Sequence, residues 1–155
     1  MEQALVRIRP TTDPREGAGA DLLSESVPEI PEIKAQVLAR FNDICPPHAV
    51  FATNTSLLAP SMFAAATGRP AQFAALHFHT YVWDANLVDV MPHPGTSEAT
   101  LALLREFALR IGQTQVMMRR ENPGYVFNAL FGALTRAALD LAARGVAAPE
   151  DVDRA

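Results

Sequence analysis

The sequence predicts an α/β fold with a mainly parallel sheet. Short apolar runs of strand length alternate with apolar residues at helical spacing, and prolines, glycines and polar turns separate them. The repeated order of strand, polar turn and helix sets the turns after Val27, Thr53 and Leu76 along one edge of the sheet. Open α/β sheets bind their ligands at such carboxyl edges.

Taken in order, residues 5–9 alternate as a short strand would, and Pro10 ends them. Residues 11–20, with Asp13-Pro14 and two glycines, read as a loop holding at most one helical turn. Residues 20–27 are a second strand candidate leading into Pro28. Pro31 suits a first helical position, with Glu32 in the positive first turn and Ile33, Val37, Leu38 and Phe41 at amphipathic spacing. Pro46-Pro47 blocks continuation. Residues 49–53 form a short buried-type strand that ends in Asn54-Thr55-Ser56.

Residues 60–67 look helical, with Gly68 as the stop and Pro70 just beyond. Two strands come next, over 73–78 and 86–91, with a polar segment between them. Ser97 is placed to cap a helix whose Leu101, Leu104, Ala108 and Ile111 form one stripe, closed by Gly112. Residues 115–118 make a last short strand. Asn122-Pro123 predicts a helix start, an N-cap side chain followed by a proline at N1. That helix is expected to run to about Arg144, with Gly145 as its left-handed stop, and it is apolar nearly all round. Such a helix requires cover on several sides.

A chain of 155 residues is large enough to bury one proper core, and 49% hydrophobic with 19% charged residues is a globular composition. The net charge of −4 and the lack of a basic stripe exclude nucleic acid as an expected partner. The single cysteine, Cys45, has no internal disulfide partner and reads as an ordinary thiol at a helix end, which points to a reducing compartment. No apolar run reaches membrane-spanning length, and Met1-Glu2-Gln3 opens no signal-peptide pattern. A soluble cytoplasmic protein with no membrane partner is the expectation.

Chemistry concentrates where the strands at 73–78 and 86–91 meet. Each carries one ionisable residue, His77 and Asp89. A histidine finishing one strand and a carboxylate finishing the next are placed to face each other across adjacent strand ends, the arrangement of a general base held in one tautomer by its acid partner. The competing reading of His77 is a core histidine bonded to backbone. His77 and His79, two apart on a strand, share a face and with Asp84 or Asp89 offer a partial zinc set, but no cysteine or further histidine completes it, so no metal is expected. His93 sits between two prolines and reads as solvated. Tyr81 and Trp83 are either loop anchors or a substrate-side surface.

At Asn54-Thr55-Ser56, His77-Phe78 and Asn122 through Asn128 the chain resembles the NAD-dependent 3-hydroxyacyl-CoA dehydrogenases. Further matching stretches are Ala20-Asp21-Leu22, Val27-Pro28-Glu29 with Lys34, and Gly145 through Asp153, in order from about Leu5 to the last residue. The resemblance implies that His77 is the base taking the proton from a 3-hydroxyl while hydride passes to NAD. It further implies that Asp89 is the base's carboxylate partner, and that Ser56 and Asn128 lie near the reacting oxygen. Glu29, Lys34, Asn54 and Thr80 match positions on the nicotinamide side of the cofactor. An acyl-CoA substrate is implied with them.

Three positions depart from the family pattern. Its Phe-Phe-Asn-Pro stretch is Phe78-His79-Thr80-Tyr81, its glutamate is shortened to Asp89, and the arginine after the helix asparagine is Ala129. The family's opening strand and Gly-x-Gly-x-x-Gly turn have no counterpart, since Gly17-Ala18-Gly19 lacks the third glycine. Residues 1–120 are therefore expected to form a Rossmann-type NAD-binding domain truncated of its first βαβ unit, and 121–155 the start of a helical domain. An apolar helix without its usual cover predicts self-association as a homodimer. The competing expectation is an inactive remnant whose helix serves association.

Overall fold

The computed structural model describes residues 5–82 and 84–155; Trp83 and residues 1–4 lie outside the described residues. Five strands form one sheet in the order β1 to β5: Leu22–Glu25, Val50–Thr53, Phe73–Phe78, Leu87–Met91 and Thr114–Met117. β1, β2 and β3 run parallel, β4 runs antiparallel to β3, and β5 is parallel to β4. The sheet is thus mainly parallel with one reversal, and that reversal builds the site. It places His77 directly opposite Asp89 in the strand register. Direct cross-strand partners share a face with Cβ atoms about 4.5–5.5 Å apart. Asp89 sits in the middle of β4 and not at its end as expected, because the strand runs on through Val90 and Met91 into the core, while His77 lies one residue from the end of β3.

Alternation along the strands divides the core into two layers. Val50, Ala52, Ala74, Leu76, Val88 and Val90 face the helix α3 at Glu98–Arg110, which contributes Leu104 and Ala108. On the other face Phe51 and Phe73 pack with Leu38 of α1 (Pro31–Asn42) and with Phe63 and Ala64 of the short α2 (Ser61–Ala64). Cys45 is buried in that second layer. Ser97 caps α3 as expected, accepting from the Thr100 backbone N–H at 3.2 Å. Gly68 takes φ +65° where the Ala65–Thr67 turn closes, and an added Cβ would lie 2.4 Å from Asn42 Nδ2.

Two further expectations change and one holds. Residues 5–9 form no strand and are exposed, because their apolar members find no sheet edge to pair with or face to cover. Loop residues 11–20 do hold a 3-10 turn, at Pro14–Gly19. The last long helix, α4 (Phe127–Ala143), starts four residues later than Asn122-Pro123 predicts. Gly124 and Tyr125 both adopt left-handed backbone, φ +80° and +55°, which no right-handed helix accommodates. Asn122 instead closes the preceding turn, its Nδ2 donating to the Tyr125 carbonyl at 2.9 Å. Helix α4 ends as expected, with Gly145 at φ +68°, and a short α5 (Pro149–Val152) comes after it. None of the residues of α4 is buried.

Candidate active site

The loops after β1 and β2 are tied together by charge. Glu25 ends β1 and is buried; its carboxylate accepts from Lys34 Nζ at 3.0 Å, Thr53 Oγ1 at 2.6 Å and the Val27 N–H at 2.6 Å. Lys34, which the resemblance sets on the nicotinamide side of the cofactor, is fully buried. Its ammonium also reaches the Val27 carbonyl at 3.3 Å and Glu29 Oε2 at 3.4 Å. Glu29 Oε1 in turn accepts from the backbone N–H groups of Ser56 and Leu57, at 3.0 and 3.2 Å, and from the Thr55 hydroxyl. Burial would raise the Glu29 carboxyl, but the bonds from Thr55, Leu57 and Ser56 and the Lys34 charge outweigh it and hold it below its ordinary value. This network fixes the Asn54-Thr55-Ser56 turn.

Ser56 is thereby held beside the histidine, its Oγ 3.2 Å from His77 Nε2. His77 Nδ1 lies 3.1 Å from Asp89 Oδ2, and Asn128 Nδ2 donates to the Ser56 carbonyl at 3.0 Å. Burial would raise the Asp89 carboxyl; hydrogen bonds from His77 and His79, and their charge, bring it below the usual range. Beneath the pair, the Tyr125 ring stands 4.6 Å from the His77 ring, and its hydroxyl is buried without a partner. Burial, and after it the charges of Glu29, Asp89 and Glu121, pushes that phenol far above its ordinary value.

His77, Asp89, Ser56 and Asn128 therefore come together at one place. Asn54 lies next to them, accepting from the Phe78 N–H at 3.1 Å and donating to Ser26 Oγ at 3.3 Å. Thr80 is exposed on the rim of a cleft of about 320 Å³ that is also lined by Ser56, His77, His79, Phe127 and Asn128. His93 is buried rather than solvated, its Nε2 2.8 Å from the Pro70 carbonyl and its Nδ1 accepting from the Gly95 N–H. Sequence reasoning misses Glu25. Its signal is an acid closing a strand pattern nine residues before a lysine on an otherwise apolar helix face.

A five-stranded, mostly parallel sheet whose polar groups gather at one carboxyl edge is a dinucleotide-binding α/β architecture. The profile of the 3-hydroxyacyl-CoA dehydrogenase NAD-binding domain matches residues 1–122, and the chain belongs to that family, whose cofactor is NAD. It is 34% identical to a probable 3-hydroxybutyryl-CoA dehydrogenase of Deinococcus radiodurans over 98% of its own length and 54% of that protein's. The chain thus spans about half the length of this relative. Among solved structures it superposes on a diketoreductase with a TM-score of 0.93 at 36% identity, covering 97% of this chain and 53% of the other. It also superposes on the 3-hydroxybutyryl-CoA dehydrogenase of Escherichia coli with a TM-score of 0.91 at 32% identity, covering 96% and 31% respectively. Among the described residues no helix is long and apolar enough to cross a membrane.

Proposed function

We propose that this chain carries the catalytic half-site of a 3-hydroxyacyl-CoA dehydrogenase, with His77 as general base. The observation that supports it most is the line Ser56–His77–Asp89. Asp89 Oδ2 accepts from the Nδ1–H of His77, which leaves Nε2 as a bare acceptor turned to Ser56 Oγ at the cleft. A substrate hydroxyl entering there donates its proton to Nε2, and Asp89 stabilises the imidazolium that forms. The Ser56 hydroxyl holds the same oxygen, and Asn128 fixes the turn that carries Ser56 through its carbonyl.

NAD supplies the hydride acceptor when bound. The donor set fits its nicotinamide side, since Asn54, Thr80 and Glu29 offer amide, hydroxyl and carboxylate groups at the carboxyl edge where open sheets take dinucleotides. Lys34, with its ammonium saturated, acts there through Glu29. The substrate class is a 3-hydroxyacyl thioester of coenzyme A. NADH oxidation on acetoacetyl-CoA tests the reading. His77→Gln is expected to lose about 10²–10⁴-fold in turnover, the contribution of one positioned base, and equal rates for the two chains end it.

The exposed apolar side chains of α4, among them Leu130, Leu134 and Leu139, favour a second property, self-association through that helix. It is compatible with catalysis and is also what an inactive remnant would retain, so a dimer inert towards NADH and acetoacetyl-CoA favours the remnant.

A further inference from the structure

Proton transfer through His77 makes no use of His79, yet the His79 side chain is only 8% exposed and its Nε2 lies 2.9 Å from Asp89 Oδ2. That oxygen already accepts from His77 Nδ1 at 3.1 Å. The other carboxylate oxygen, Oδ1, is buried and has no partner. Two imidazoles therefore crowd one oxygen while its twin stands bare, an uneven use of a group with about four lone-pair sites. One ligand atom from each of His77, His79 and Asp89 lies within 4.8 Å of the others. Tetrahedral zinc, with bonds of about 2.0–2.2 Å to nitrogen and oxygen, sets its ligand atoms roughly 3.4 Å apart. The two nitrogen–oxygen separations are already close to that, and the fourth position would fall to an oxygen from the cleft.

We propose that His77, His79 and Asp89 form a binding site for a divalent transition metal, zinc foremost, whose occupation silences the site. The silencing rests on the general-base reading of His77; the binding does not. With the metal on Nδ1 of His77, the single proton of the neutral ring moves through solvent to Nε2. Nε2 then donates to Ser56 Oγ, 3.2 Å away, and has no lone pair left to take a proton from a substrate hydroxyl. His79 makes the same kind of change, the proton that its Nε2 gives to Asp89 moving through solvent to Nδ1 so that Nε2 can ligate, and no other bond of the protein is made or broken.

The test uses the full chain stripped with a chelator, with neither NAD nor thioester present. Cobalt(II) is titrated in and its visible d–d absorption followed, and zinc is then added to displace it. One ion per chain with tetrahedral-intensity bands, displaced by zinc, is expected. His79→Phe and His79→Gln, checked as folded by circular dichroism, should each weaken binding by about 100-fold or more, exceeding the ~10–100-fold cost of losing an outer hydrogen-bonding partner. Absence of such bands, or binding that both variants retain, overturns the proposal and leaves the three residues as a purely hydrogen-bonded cluster. Full turnover in His77→Gln would end the base reading while leaving the cobalt result to stand or fall alone.

Discussion

Burial alone would raise the Asp89 carboxyl, and the two imidazoles at 3.1 and 2.9 Å reverse the sign. A carboxyl held below its unfolded value contributes stability above that value and loses it as pH falls through the folded one. Asp89→Asn should therefore flatten the loss of stability from about pH 5 downward, read as the urea midpoint across an acid series. An unchanged acid limb would show that the pairing adds nothing. Tyr125 gives the opposite kind of prediction. Its buried hydroxyl has no partner, so Tyr125→Phe removes an unsatisfied group and keeps the ring against His77. A gain of about 1–3 kcal/mol is expected, measured by denaturant unfolding. At this scale the sequence is most legible where a motif spans few residues, and Ser56, His77 and Asn128 all stand out in it. The burial of Lys34 is not legible in the same way, because it depends on Glu25, nine residues earlier on another element.

Among the elements, β1 and α1 depend on one buried ion pair. Lys34 and Glu25 side chains are both 0% exposed, and replacing only the lysine leaves an uncompensated carboxylate inside. Lys34→Met is expected to cost about 3–5 kcal/mol in chemical denaturation. Glu29→Gln should instead leave the fold standing and lower turnover on acetoacetyl-CoA, because the Ser56 and Leu57 N–H groups lose their charged acceptor. Unchanged turnover there would show that the turn is self-supporting. Strand and helix order is readable from apolar spacing, down to the caps at Ser97 and Gly145. The start of α4 is not. Asn122-Pro123 has the composition of a cap, but the left-handed pair Gly124-Tyr125 interrupts it, and Tyr125 is held in that conformation by Asn122 bonds at both its N–H and its carbonyl and by burial of its ring against His77. That burial leaves no local trace.

For the whole molecule, α4 presents the largest unmet demand. Leu130 and Leu134 are each 67% exposed on a helix with no buried residue, and Phe127 stacks on Phe131 one turn on. We expect the chain to self-associate through this face, and Leu130→Lys with Leu134→Lys to return it to a monomer in sedimentation equilibrium. A monomeric parent chain would refute that. The reversal between β3 and β4 has a different reach. It separates His77 from Asp89 by only 12 residues, whereas Asn128 meets Ser56 across 72. Base and carboxylate thus ride on a single hairpin, whose closure carries little loop entropy, while the serine that faces them is secured by a distant helix. In refolding, amide protection at the hairpin should precede that at 126–130. A chain caught between the two steps would hold a finished proton acceptor with nothing yet in place to position its substrate.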